Sequence, residues 1–366
     1  MIIFANMRSP VVITALLSVI LLTSVPCFVA METDQYNLPP EPLFDIGDEV
    51  SDHIAENLFT AVAKLNAEID SHQLCLDNPK QKGVTCGSQQ AERGRLEYLR
   101  SNDAVAREVF KRLGDGSLVL TVTGKWFMKH KFSQEPARYK TSYFDSIYMA
   151  EPIDYATMSP TVRIYGTEFG TDKIEHFLQQ GYDYYKIYKK EIAAGATPEA
   201  ASAKAVKWGQ MTEWTYFGLL IAGVYSNADL VANYAGMRFY QGMTQPVQIG
   251  ATTRPAILSL NNGDWVINDP QGLRDYLLKP FVSDHLNEAL NPSVYAFTLY
   301  PFVRGTVKKQ SCPQWRKMYP AFTRDDLESR TDALALWNGA DYGHLKKSMM
   351  VRIGDTCFPS GTAKTD

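Results

Sequence analysis

The sequence predicts a mainly α-helical fold, a helical hairpin followed by a central helical bundle, with a minor β element. Three observations predict it. Apolar residues recur at helical spacing in the first third, with Ile54, Leu58, Val62, Leu65 and Ile69 on one face. The central third holds three long helical segments separated by glycine, proline and serine. β-branched runs bounded by turn residues are confined to short stretches.

Taken in order, the first element is a leader. After Arg8 an uncharged apolar stretch runs from Val11 to Val25, then Pro26 and the small-residue end Val29-Ala30. A short basic region, an apolar core of this length and a proline describe a secretory signal peptide over residues 1–30. Two alternatives stay open, an uncleaved anchor and a lipid-modified Cys27. Residues 31–50, acidic and rich in proline, read as an irregular arm. Ser51 is the expected N-cap of a first helix, and a second runs from about Gln89 to Leu113, stopped by Gly114. Ser117 to Thr123 reads as a strand and Thr161 to Tyr165 as another. Helices are expected at 172–194, 198–224 and 227–240. Asn261-Asn262-Gly263-Asp264 marks a turn, and Asp275 to Leu290 reads as helical until Asn291-Pro292. The organisation is thus 31–150 for the hairpin and short β segment and 151–366 for the bundle, as two units or one continuous domain.

Composition excludes some function classes. A formal charge of −3 provides no footprint for nucleic acid, which needs a basic patch. The apolar run Trp214 to Tyr225 is short of the roughly 20 residues of a membrane span and suits a buried core helix. Beyond Cys27, four cysteines follow the leader. An even count in an exported chain reads as two disulfides, and local closure favours Cys75–Cys86 and Cys312–Cys357. The sequence has no G-x-S-x-G, H-E-x-x-H, P-loop or dinucleotide-binding glycine motif.

One polar constellation stands out. Asp172 and His176 share a helix face, as do Asp229 and Asn233, and Glu213 ends the helix between them. Carboxylates with one imidazole are a ligand set for a divalent cation, so Asp172, His176, Glu213 and Asp229 are candidate metal ligands, with Asn233 orienting substrate or water. Plainer readings are available. Asp172 can complement its helix dipole, Ser226 and Asp229 can form a capping box, and His176 can be a satisfied core histidine. The order Asp172-Lys173-x-x-His176-Phe177, then Glu213, then Ser226-x-x-Asp229-Leu230-x-Ala232-Asn233-x-x-Gly236 resembles VanZ-like and related bacterial envelope proteins. That resemblance covers about 70 residues and implies an envelope location more than a reaction.

Three further features complete the reading. Tyr182, Tyr185 and Tyr188 form a stripe suited either to sugar stacking or to helix packing. Gly209, Gly218 and Gly223 indicate close helix approach. His285 with Glu288, and His53 with Glu56, read as ordinary solvated helix faces. The expected role is structural or binding, with an envelope glycan or protein as partner, in the periplasm or outside the cell. The alternative is a metal-dependent hydrolase of envelope material.

Overall fold

The structure, a computed structural model, describes residues 32–79, 85–117, 120–215 and 218–358; the leader lies outside them. It is mainly α-helical, and its strands form short antiparallel pairs. The first helix, α1 (Gly47–Asp77), buries Ile54, Leu58, Val62, Leu65 and Ile69 along the predicted stripe. It starts four residues before Ser51, whose hydroxyl instead meets the Tyr165 hydroxyl at 2.7 Å. The expected second helix is two. α2 (Gln89–Leu99) ends at Arg100, and α3 (Asn102–Leu113) restarts because Ser101 accepts a bond from Ala104 N. A serine that can cap competes with helix continuation. The Cys75–Cys86 disulfide joins the end of α1 to the approach to α2.

The strand expected at 117–123 is shorter than read. Gly116–Ser117 and Leu120–Thr121 pair as β1 and β2, and helix α4 (Val122–Lys129) follows at once, with Thr121 as its cap. A short helix α5 (Pro152–Thr157) leads to the hairpin of β3 (Thr161–Ile164) and β4 (Thr167–Gly170), the second predicted strand with its partner.

The expected helix 172–194 is likewise two, α6 (Thr171–Leu178) and α7 (Gln180–Ala193), bent at Gln179 (φ −89°, ψ −66°). α8 (Pro198–Trp214) stops ten residues short of its expected end. Beyond it, Leu219 N bonds back to Glu213 O, and Leu220 and Ile221 lie exposed, so residues 218–223 form turns and not the buried core helix expected there. Gly218 and Gly223 therefore lie outside the helix. Only Gly209 serves helix contact, against Tyr184. β5 (Val224–Tyr225) precedes α9 (Asn227–Gln241), a helix buried on nearly every face. Asn262 and Gly263 take positive φ in the hairpin over 258–267, where the turn was expected. The helix expected at 275–290 reduces to α10 (Leu273–Leu277) and two single turns, because Pro280 has no N–H to continue it.

Two apolar cores result. The larger joins α1 to α4 with α6, α7 and α9, so residues from both halves of the chain share it. The smaller gathers Tyr36, Tyr148, Tyr295, Val303, Trp315 and Val351, tied by the Cys312–Cys357 disulfide. The arm is non-helical as expected as far as Ile46, with 47–50 already in α1, and it is deeply buried from Glu32 to Asn37. Trp315 Nε1 donates to Tyr36 O at 2.8 Å, and Tyr36 Oη donates to Val351 O at 2.7 Å. Among the described residues no helix is long and apolar enough to cross a membrane.

Candidate functional site

The centre of the molecule is a buried lysine. α6 begins where the arm crosses it, and the crossing is close. A Cβ on Gly170 would lie 1.9 Å from Thr33 Oγ1 and 2.1 Å from Asp172 Oδ1. Only glycine lets the arm approach so closely. Thr33 then donates to Asp172 Oδ1 at 2.8 Å. On the first turn of α6, Lys173 turns inward and is fully buried. Its Nζ lies 2.5 Å from Asp172 Oδ2 and 2.5 Å from Asp229 Oδ1, and it pairs with Glu288 Oε1.

His176, one turn further along α6, stands at the edge with 14% of its side chain exposed. Its Nε2 is 3.3 Å from Asp229 Oδ2, and its Nδ1 is 3.2 Å from Asn233 Oδ1. Asn233 Nδ2 donates to Gln180 Oε1 at 3.0 Å, which leaves Oδ1 to accept from the imidazole Nδ1–H. Nε2 is therefore the nitrogen that shares a proton with Asp229.

Glu213 lies at the far side, where Oε2 accepts from Ser226 N at 3.2 Å. The expected capping box is thus divided. Ser226 Oγ accepts from Asp229 N at 3.1 Å, but the reciprocal carboxylate is Glu213, which frees Asp229 for Lys173 and His176. Four of the five predicted residues meet in one place. Asp172, Asp229 and His176 make direct contacts around Lys173, Asn233 orients the imidazole, and Glu213 reaches the cluster only through the start of α9.

Three members were not read from the sequence as parts of the site. Lys173 sits inside the motif, and the signal for it was a cation between Asp172 and Ile174 on a turn that is otherwise apolar or acidic. Glu288, read as a solvated residue, is fully buried, because the helix expected there is absent and the chain folds inward. Glu32 comes from the arm, and its composition carries no sign of burial.

The electrostatics follow from five buried carboxyls and one buried ammonium. Burial and the charges of Asp229 and Glu288 push Glu32 well above the usual carboxylate range. Burial, with Asp229 beside it, does the same to Glu213. Burial raises Glu288 to about 8 against the pull of Lys173. Asp229 goes the other way, because His176 and Lys173 outweigh burial. Burial disfavours the charged form of Lys173, yet Asp172, Asp229 and Glu288 together hold its pKa well above the ordinary value. One ammonium beside ionised Asp229, with Glu288 and its neighbouring glutamates pushed towards their neutral forms, is the arrangement the surroundings favour.

One oxygen each from Asp172, Asp229 and Glu288 lies within 4.8 Å of the others, a spacing that could hold a cation. The Lys173 ammonium occupies that focus. The tyrosine stripe packs inward at Tyr182 and Tyr185, and Tyr188 is half-buried. Tyr182 and Tyr185 are buried, and Tyr182 stacks on Phe110 at 4.3 Å. His53 stacks on Trp126 at 4.3 Å. Two cavities lie away from the cluster, of 480 and 420 Å³, and share Trp337 and Asn338 in their walls. No family model, curated protein or solved structure matches this chain.

Proposed function

We propose that this chain is an exported cell-envelope protein with a structural or binding role, and that the Lys173 cluster locks its core. The observation that carries this reading is the Lys173 ammonium at the common focus of Asp172, Asp229 and Glu288, where a catalytic ion would otherwise sit. A charge already matched from within one chain joins the arm, α6, α9 and the 284–290 turns, and has no open coordination position for a substrate. The apolar leader and two disulfides support export. Binding is assigned to the paired cavities, where Tyr234, Arg238, Gln248, Trp337 and Asn338 offer aromatic and amide groups suited to an envelope glycan or peptide.

The metal-dependent hydrolase keeps one supporting observation. Glu32 Oε1 and Oε2, Glu213 Oε1 and Glu288 Oε2 are buried without hydrogen-bond partners, and His176 reaches towards solvent. Metal content and thermal unfolding of the purified chain, with Lys173→Met beside it, separate the two. The lock predicts no stoichiometric ion and a loss of about 3–5 kcal/mol in Lys173→Met, the range for breaking a buried ion pair. A stoichiometric ion, retained in Lys173→Met and lost in Asp229→Asn, would establish the hydrolase reading instead.

A further inference from the structure

We propose that Lys173 and Asp229 form an intramolecular amide, a covalent crosslink between α6 and α9. This rests on the locking role just given and makes that lock permanent.

The geometry supplies each part such a bond needs. The amine and the carboxyl are held 2.5 Å apart by two buried helices, so the encounter that limits amide formation in water is already made. Asp172 is the wrong acceptor, because an amide to the adjacent residue would close a strained ring within one dipeptide. Glu288 Oε1 touches the ammonium, and Oε2 has no other partner, which suits this carboxyl, as a neutral acid, to give a proton and take one back. His176 Nε2 faces Asp229 Oδ2, the oxygen turned away from Lys173, and Asn233 fixes the ring in that orientation. The site is closed to bulk water, which protects an amide once formed, and the partly exposed His176 marks the side by which one water leaves.

The reaction balances without oxidant or cofactor. Glu288 starts as the neutral acid, gives its proton to Asp229 Oδ2 and takes one from the ammonium in exchange, and the freed amine attacks Asp229 Cγ. The Nζ–Cγ bond forms. The second nitrogen proton passes through His176 Nε2 to Oδ2 and completes a water there. The Cγ–Oδ2 bond breaks with its electron pair. An ammonium and a carboxylate become one amide and one water.

The test is the intact mass of the purified chain, reduced and denatured, followed by tryptic mapping. The expected mass lies one water below that of the same chain without the bond. Trypsin then fails to cut after Lys173, and the peptides carrying Lys173 and Asp229 travel joined. Lys173→Arg shows the full mass, and Glu288→Gln and His176→Ala show the crosslink in only a minor fraction. A full-mass wild-type chain, cut after Lys173, overturns the crosslink. The stability loss in Lys173→Met still decides the non-covalent lock, so the two readings fail separately. A crosslink formed completely in both Glu288→Gln and His176→Ala would overturn the roles given to those side chains.

Discussion

Gly181 on α7 and Gly236 on α9 meet backbone to backbone: a Cβ built on Gly236 would lie 2.8 Å from Gly181 Cα and 2.0 Å from Phe177 O. This crossing fixes the distance between α6–α7 and α9, and so places Asp229 and Asn233 opposite Lys173 and His176. Helices approach this closely only where neither carries a side chain. Gly236→Ala is expected to destabilise by about 2–3 kcal/mol, the upper range for overpacking. Gly94 on α2 is the control. Nothing lies within 4 Å of a Cβ added there, so Gly94→Ala is expected to stabilise by about 0.5–1 kcal/mol through helix propensity. Urea unfolding of the two variants measures both, and equal effects would show that the crossing imposes no restraint.

Glu213 distinguishes a buried acid from a metal ligand. Burial, with Asp229 beside it, holds its carboxyl well above the usual range, and its task is to accept from Ser226 N. Glu213→Gln keeps an acceptor of the same shape and is expected to cost less than about 1 kcal/mol. Glu213→Ala removes the acceptor and leaves a cavity, at about 2–4 kcal/mol. Chemical denaturation of both variants is the measurement. A Gln variant as damaged as the Ala variant would mean that the charged form matters.

The two disulfides close loops of different length. Cys75–Cys86 spans 11 residues and Cys312–Cys357 spans 45. Loop-closure entropy assigns about 3 kcal/mol to the first and about 4 kcal/mol to the second. The second also holds the smaller core, where Cys312 and Cys357 are fully buried beside Trp315. Replacing Cys312 and Cys357 with serine is therefore expected to lower the melting temperature further than replacing Cys75 and Cys86. The opposite order in calorimetry would show that the loop near α2 contributes more native contact than its length suggests.

The mainly α-helical class with its minor β element, the stripe on α1, the turn at Asn262-Gly263 and both disulfide pairs were legible, because each rests on local spacing or local closure. Helix ends were less so. Ser101, Gln179 and Pro280 interrupt helices where apolar periodicity continues past them, so the periodic signal overrode the breakers. The convergence of Asp172, His176, Asp229 and Asn233 followed from residues four apart on facing helices. Lys173, Glu288 and Glu32 were hidden for a different reason. Charged residues are buried only when partners arrive from distant segments, and partnership across 115 residues, as between Lys173 and Glu288, leaves no local trace.

Two histidines away from the cluster, His53 and His344, are held below their ordinary pKa. Burial, with the charge of His130 beside it, lowers His53 to about 4, and its ring stacks on Trp126. Burial lowers His344 to about 4 as well, with Lys346 adding to the effect. Both pKa values lie below the unfolded value of 6.5, so between about 4 and 6.5 the unfolded chain binds more protons than the folded one. The stability these rings contribute is therefore complete above pH 6.5 and falls as the pH drops through that window. Below about pH 4 both states are protonated and the loss levels off. Glu49 and Asp332, whose pKa values are lowered by Ser133 with His130 and by Lys346 with Arg352, lose stability in the same direction but at lower pH. The histidine contribution is thus read as a difference between variants. Melting temperatures measured from pH 7 to pH 4 should fall less steeply in the double variant His53→Gln, His344→Gln than in the wild type. Parallel curves would show that both rings charge without opposition from the fold.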